Sequence, residues 1–293
     1  MTNNTRMLSD AELGAMLRQL PPDSKYPALP LDDVTYLPDM RATTYVMNPV
    51  LLCCAVFGII RAQATRRYVE RTYVATNGAT VEFRGKELCQ DDLTILLSLL
   101  HLHAGMNVDL PIKLAPTSFC AKIGWSDSKH NIKRLEECIL RLQGAFLIVR
   151  TTLIANSEAS KLAKAIGAGW TLGFVTDFEF EGVLRWTVQL NPKLTQLFLS
   201  SPTYLIIAKR QALTAGLQTW LYGYIEANTC TYSVSLQTLA DAAGSTASLK
   251  EFARQVRDAI PKLIAARVLC ANSTVKNGKV SLFKVHTSAS KRK

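Results

Sequence analysis

Cysteine pairs at metal or disulfide spacing are missing from these 293 residues. The seven cysteines, at 53, 54, 89, 120, 138, 230 and 270, include no C-x-x-C, and there are four histidines. Zinc fingers and ribbons draw their ligands from such pairs, so no metal site is expected. An odd cysteine count without a secretory signal reads as reduced thiols used as small apolar residues. Long apolar runs are missing too. The longest, VLLCCAVFGII at 50–60, is about half of what a membrane-spanning helix needs. The opening MTNNTRMLSD has no basic segment followed by an apolar one, so a cytoplasmic protein without a membrane partner is expected. No G-x-x-x-x-G-K-[ST] loop occurs, which excludes phosphate cradling of that kind and points to no ATP hydrolysis and no cofactor.

Acidic residues are in short supply, 23 against 34 basic, and the shortage is local. Residues 1–40 carry a net charge of −3, residues 41–244 carry +5, and residues 245–293 carry +9. KRK at 291–293 reads as a solvated tail. The other positive groups of this end are spread over a helix and a hairpin, where a one-sided positive field fits a polyanion partner.

Three regions are expected: an N-terminal arm at 1–40, a first domain at 41–190, and a second domain at 191–293 ending in the basic tail. The arm holds a short amphipathic helix at 9–20, capped by Ser9 with Glu12 three residues on, and then a Pro-rich stretch. A hairpin should turn at Asn77-Gly78. A helix begins at Gln90, with Asp91 and Asp92 in its first turn and a stripe of Leu93, Leu96, Leu97 and Leu100. A strand at 111–114 leads to a helix started by Pro116 and stopped by Gly124. The helix at 127–143 runs into strands near 145–154, 170–180 and 184–190. Beyond a short helix at 192–200, a longer helix is read over 208–227. A strand at 232–236, a helix at 236–243 stopped by Gly244, and a helix at 249–266 follow. A hairpin of 268–271 with 279–285, turning at Asn277-Gly278, closes the pattern.

The pattern repeats. Gly124 precedes Ile132 by eight residues, as Gly244 precedes Phe252. Each glycine follows a short helix and leads through Ser or Thr into a long helix and then a hairpin. Helix, strand, short helix, turn, long helix, hairpin is the order of a winged helix, a helix-turn-helix whose hairpin is the wing. The expected fold class is therefore α+β with two tandem winged-helix domains.

In such units the second helix enters the major groove of double-stranded DNA, with flanking groups on phosphates. In the second copy Leu249, Phe252, Val256, Ile260 and Leu263 are expected to face inward. Lys250, Arg254 and Arg257 then form a basic stripe behind the cap residue, Ser248 or Thr246, and Ser248 is counted among the DNA contacts. The arginines suit guanine edges, and Lys276 and Lys279 of the wing suit the adjacent backbone or minor groove. The first copy is more mixed: Ser126, Ser128, Lys129, His130, Lys133 and Arg134 lead its helix, but Glu136 and Glu137 follow. The second copy is read as the main DNA reader and the first as a supporting contact. No catalytic residue is expected.

KIGWSDSKHNIKRLEECILRLQ at 122–143 closely resembles the matching helix region of the TrfA-type plasmid replication initiators. FRGKELCQDDLTILLSLLHLHAG at 83–105 and NPVLLCCAVF at 48–57 resemble the same family, and 231–269 more loosely, so the likeness spans about 45–285. The resemblance implies two winged-helix domains that bind repeated sites (iterons) at a bacterial plasmid origin. It implies opening of an adjacent A·T-rich segment and recruitment of host replication proteins: the helicase, the host initiator and the sliding clamp. A monomer–dimer equilibrium that limits copy number also belongs to the family. Gln196-Leu197-Phe198-Leu199 is only faintly like a clamp-binding peptide, its aromatic being misplaced, and ordinary helix packing accounts for it. The alternative function is a winged-helix transcriptional repressor, including one acting on its own promoter. An enzymatic rival is a rolling-circle initiator that nicks DNA with a tyrosine and uses His101-Leu102-His103 to hold a metal. At the end of a leucine-striped helix those imidazoles point roughly 200° apart, which argues against it.

Overall fold

The computed structural model describes residues 37, 40–60, 65–75, 80–151, 168–182, 185–198, 202–228 and 232–285. The helix expected at 9–20, the turn at Asn77-Gly78 and the basic tail lie outside them. The described chain is mixed α and β, with five small sheets, one of them the parallel pair of two-residue strands β2 (Phe57–Gly58) and β5 (Leu88–Cys89).

Its pillar is α2 (Gln90–Leu102), preceded by a short α1 (Pro49–Leu52). The expected leucine stripe is buried, but so are Ile95, Ser98 and Leu99 on other faces. A helix buried all round must neutralise its charges internally. Asp91 takes Arg134, and Asp92 takes Arg141 at 2.9 Å, both from α4 (Lys129–Gln143). The other oxygen of Asp92 accepts the Cys89 N–H at 2.7 Å, closing the start of the helix.

Two segments share one plan. The first is built from β6 (Ile112–Leu114), α3 (Pro116–Lys122), α4, β9 (Val175–Glu181) and β10 (Arg185–Leu190). The second is built from β12 (Tyr232–Ser235), α7 (Leu236–Ala243), α8 (Leu249–Ala265), β13 (Thr274–Lys276) and β14 (Lys279–Leu282). In both sheets the last strand lies in the middle, in the orders β6-β10-β9 and β12-β14-β13. Both turns between the helices need positive φ, +82° at Gly124 and +67° at Gly244. At Gly244 an added Cβ would also fall 2.9 Å from that of Ala55, so turn and packing both call for glycine. Ser128 and Ser248 then cap the long helices identically, each Oγ accepting the N–H three residues on at 3.3 Å.

The structure departs from the sequence expectation in four places. The strand that follows α4 is not part of the first outer hairpin. Instead β7 (Phe146–Thr151) and β8 (Ala168–Gly173) form an inserted hairpin. It joins β3 (Tyr68–Val74) and β4 (Thr80–Lys86) in the sheet β3-β4-β7-β8. The helix read over 208–227 is two, α5 (Ile207–Gln211) and α6 (Leu217–Ala227), broken at Gly216 with φ +112°. An unforeseen strand, β11 (Thr203–Ile206), precedes them. The strand expected at 268–271 is reduced to one bridge, Leu269 to Lys284, and the hairpin proper starts at Thr274. Its turn is as expected: Asn277 at φ +50° and Gly278 at +71° supply the two left-handed residues of a tight hairpin.

The two segments stand on shared ground. β1 (Thr44–Met47) pairs antiparallel with β11, and α1 packs on α6, Leu52 meeting Gly223. Tyr45 of β1 reaches Ser98 of α2 at 3.0 Å. α5 is the bridge. Arg210 is buried and donates to Gln90 O and Oε1 at 3.1 Å, Thr94 Oγ1 at 3.0 Å and Thr219 O at 3.3 Å. Its neighbours reach outward: Lys209 to Arg267 O at 2.7 Å, and Gln211 to Lys122 O at 2.9 Å. Buried apolar residues from Leu37 to Leu282 form one cluster, so residues on either side of 190 share a sheet and a core. Among the described residues no helix is long and apolar enough to cross a membrane.

Candidate nucleic-acid interface

Helix α8 buries Phe252, Val256, Ile260 and Leu263 against the second segment, together with Ala253 and Ala259. Leu249, expected to face inward, is 43% exposed. It is the first residue of the helix and sits beyond the edge of the core. Lys250, Arg254 and Arg257 are exposed on the far side, with Ser248 at the cap. This stripe is not purely basic. Arg254 is gripped by two carboxylates of its own helix, Glu251 at 2.6 and 2.9 Å and Asp258 at 2.8 Å. Both acids had a readable signal, the i−3 and i+4 spacing that makes neighbours on a helix surface.

The hairpin tip of the same segment is basic as well. Lys276 and Lys279 are exposed and directly opposite each other across the turn. Like charges facing each other across strands are locally unfavourable. An anion placed between them would relieve that repulsion.

The first segment presents a different face. Ser126, Ser128, Lys129, His130 and Lys133 are exposed around the front of α4. Asn131 Nδ2 donates to Ser126 O at 3.0 Å and to its Oγ at 2.9 Å, fixing the loop that leads in. Arg134, read from sequence as one of the DNA contacts, is turned into the protein instead. Its Nε donates to Asp91 at 3.2 Å and its guanidinium lies 4.1 Å over the Trp125 ring. Trp125 and Asp91 captured it because both lie within reach of one turn of α4. Arg134→Ala is accordingly expected to lower stability by about 2–3 kcal/mol, below the figure for a fully buried pair because part of the group is in water. Urea denaturation measures the loss; DNA affinity should be unchanged in the folded variant.

The outer hairpin of this segment is acidic where its counterpart is basic. Asp177, Glu179 and Glu181 of β9 are exposed, with Arg185 opposite Glu181. Phe180 is half exposed beside Phe178 and Trp186, at ring distances of 5.2 and 6.5 Å. The positive surface is thus concentrated at α8 and the β13–β14 tip.

His101 and His103 are used separately. His101 Nδ1 meets Thr44 O at 3.1 Å and its ring stands edge-on to Tyr45, while His103 Nε2 meets Asn107 O at 2.6 Å. Among the described residues no three His, Cys, Asp or Glu side chains are grouped to hold a metal ion. Burial pushes the Cys54 and Cys89 thiols up to about 12, in keeping with thiols used as apolar filling. Phe198 packs against the core; the side chains of Gln196 and Leu197, and Leu199, lie outside the described residues.

No curated protein sequence matches the chain. Its fold is shared with the crystal structure of selenomethionine derivatives of domains 2 and 3 of RctB. The two align with a TM-score of 0.53 and 14% identity, over 83% of this chain and 100% of that one. A second crystal structure of RctB domains 2-3 gives a TM-score of 0.46 and 16% identity, over 80% of this chain and 96% of that one. At 14% identity the first likeness is one of fold alone. The sequence profile described as TrfA protein matches residues 3–282, nearly the whole chain. With the motif at 122–143 and the profile in agreement, this chain belongs to the TrfA family, the plasmid replication initiators.

Proposed function

We propose that the chain initiates plasmid replication by sequence-specific binding of double-stranded origin repeats through two winged-helix units. In this reading α8 lies in the major groove as the main reader, and Lys276 and Lys279 hold the adjacent backbone. The front of α4, with Ser126, Ser128, Lys129, His130 and Lys133, makes the supporting contact. One observation carries the reading: the same strand order, positive-φ glycine and serine-capped long helix occur twice, and residues 245–293, which include the second long helix and its hairpin, carry a net charge of +9. An exposed helix with a basic tip beside it fits the groove and the phosphates together.

Origin opening, recruitment of host helicase, initiator and sliding clamp, and a monomer–dimer equilibrium are proposed with it, on the family's account. The protein is proposed to act without catalysis of its own, in the cytoplasm. The separate employment of His101 and His103 supports this against a metal-dependent nicking enzyme. A footprint on the cognate origin tests the binding, with affinity expected to fall steeply between 50 and 200 mM salt, roughly a thousandfold for about six phosphate contacts. Supplying the protein in trans to a plasmid carrying that origin separates initiation from repression: the plasmid persists for an initiator and is lost for a repressor alone. Absence of any footprint overturns the proposal.

A further inference from the structure

The surface that α8 offers to a groove carries acid as well as base, and the acid is organised. Glu251 lies in the first turn of the helix, where its N–H is bound by the Ser248 cap at 3.3 Å. One carboxylate oxygen accepts Arg254 Nη2 at 2.6 Å and Gln255 Nε2 at 3.1 Å, and the other accepts Arg254 Nε at 2.9 Å. The hydrogen bonds from Arg254, then that from Gln255, hold its carboxyl down to about 2, so it is ionised at every working pH. Asp258 takes Arg254 Nη1 at 2.8 Å. Three of the five guanidinium N–H donors are thus engaged, and the rest stay available on its outer edge.

A carboxylate in the leading turn favours the helix N-terminus, but it works against a grip on phosphates, since a negative charge there repels the polyanion. An ionised carboxylate does suit one base. Cytosine presents its N4 amino donor to the major groove, where thymine presents the O4 acceptor. A carboxylate only accepts, so it attracts the first and repels the second. Residues of the first turns are those that reach base edges.

We propose that Glu251 determines specificity at one base pair of the DNA site, accepting a hydrogen bond from a cytosine N4 amino group while its fork aims Arg254 at a neighbouring guanine. The assignment rests on α8 being the DNA reader and deepens that reading. It makes the carboxylate a discriminator, because thymine at that position is rejected by repulsion as well as by a lost bond. It also makes Arg254 a pre-aimed donor, held in one geometry before DNA arrives, so less side-chain freedom is lost on binding.

The test is fluorescence anisotropy at fixed salt with wild type, Glu251→Gln and Glu251→Ala. The probes are the footprinted duplex and a set in which each C·G pair under α8 is changed in turn to T·A. Wild type should lose on the order of 10- to 100-fold at the position that Glu251 reads. Glu251→Gln, whose amide both accepts and donates, should bind the cytosine and thymine duplexes within about threefold of each other at that position. Glu251→Ala should lose the same discrimination and bind unrelated DNA more tightly than wild type, because a repelling charge is gone. A helix-capping role alone would lower the melting temperature and weaken all duplexes alike. That result, or unchanged discrimination at every position in both variants, overturns the assignment while leaving DNA reading by α8 intact. Wild type that prefers no sequence overturns both.

Discussion

Arg210→Met should destabilise the protein by about 3–5 kcal/mol, the range for stripping one partner from a buried charged hydrogen-bond network. The guanidinium is buried, and burial pushes its pKa down to about 10, yet it remains a cation with four oxygens around it. Methionine fills much of the volume but leaves Gln90 Oε1 without this donor in the interior. The melting temperature should fall by roughly 10 °C, about 2–4 °C for each kcal/mol in a chain of this size. Arg210→Lys should not rescue it, since a single ammonium cannot span Gln90, Thr94 and Thr219 as the planar fork does. Because α5 also binds Lys122 O and Arg267 O, the loss should loosen the placement of one segment on the other. Specific DNA binding should then drop before either segment unfolds. A variant melting within a degree of wild type would remove Arg210 from its role as the bolt between them.

The second large effect is on binding. Arg254→Ala combined with Arg257→Ala is expected to lower affinity for the cognate site on the order of a thousandfold, two base-edge contacts at ten- to a hundredfold each. Affinity for unrelated DNA should change far less, so the ratio between the two collapses. Lys276→Ala with Lys279→Ala should do the opposite: weaken all duplexes evenly and reduce the salt slope by about two. Titrations at several salt concentrations separate the cases. Near-wild-type site preference in the arginine double variant would remove α8 as the reader.

What the sequence could disclose divides by the range of the interaction. Gly124 and Gly244, Ser128 and Ser248, Pro116, and the Asn277-Gly278 turn declare themselves, because a positive φ, a cap or a fixed φ depends on the residue and its immediate neighbours. Helices α2, α4, α7 and α8 are equally plain from their apolar spacing. The antiparallel match of β1 with β11 joins residues about 160 apart, and nothing in either four-residue run names its partner. The break at Gly216 was signalled by Thr-Ala-Gly but masked by the leucine and tryptophan run on either side. At the candidate interface, periodicity placed Lys250 and Arg257 outside correctly. It could not distinguish Arg134 from them, because its fate is decided by Asp91, 43 residues away, and by the Trp125 ring. Glu251 and Asp258 stand at helical spacing from Arg254, so their grip on it is legible in the sequence.

The single core under both long helices has a consequence for the DNA. Helices joined by a slack linker would let each find its own groove, and the base pairs between the two contacts would be free to vary. Here α4 and α8 are seated on one framework bolted through α5. On the proposed reading, in which both helices meet DNA, the double helix would have to supply any curvature or change of twist needed to fit them. That elastic work depends on the stacking steps being deformed, least at flexible pyrimidine–purine steps and most in stiff A-tracts. Base pairs that no side chain touches would then become part of the recognised sequence, chosen for how readily they yield.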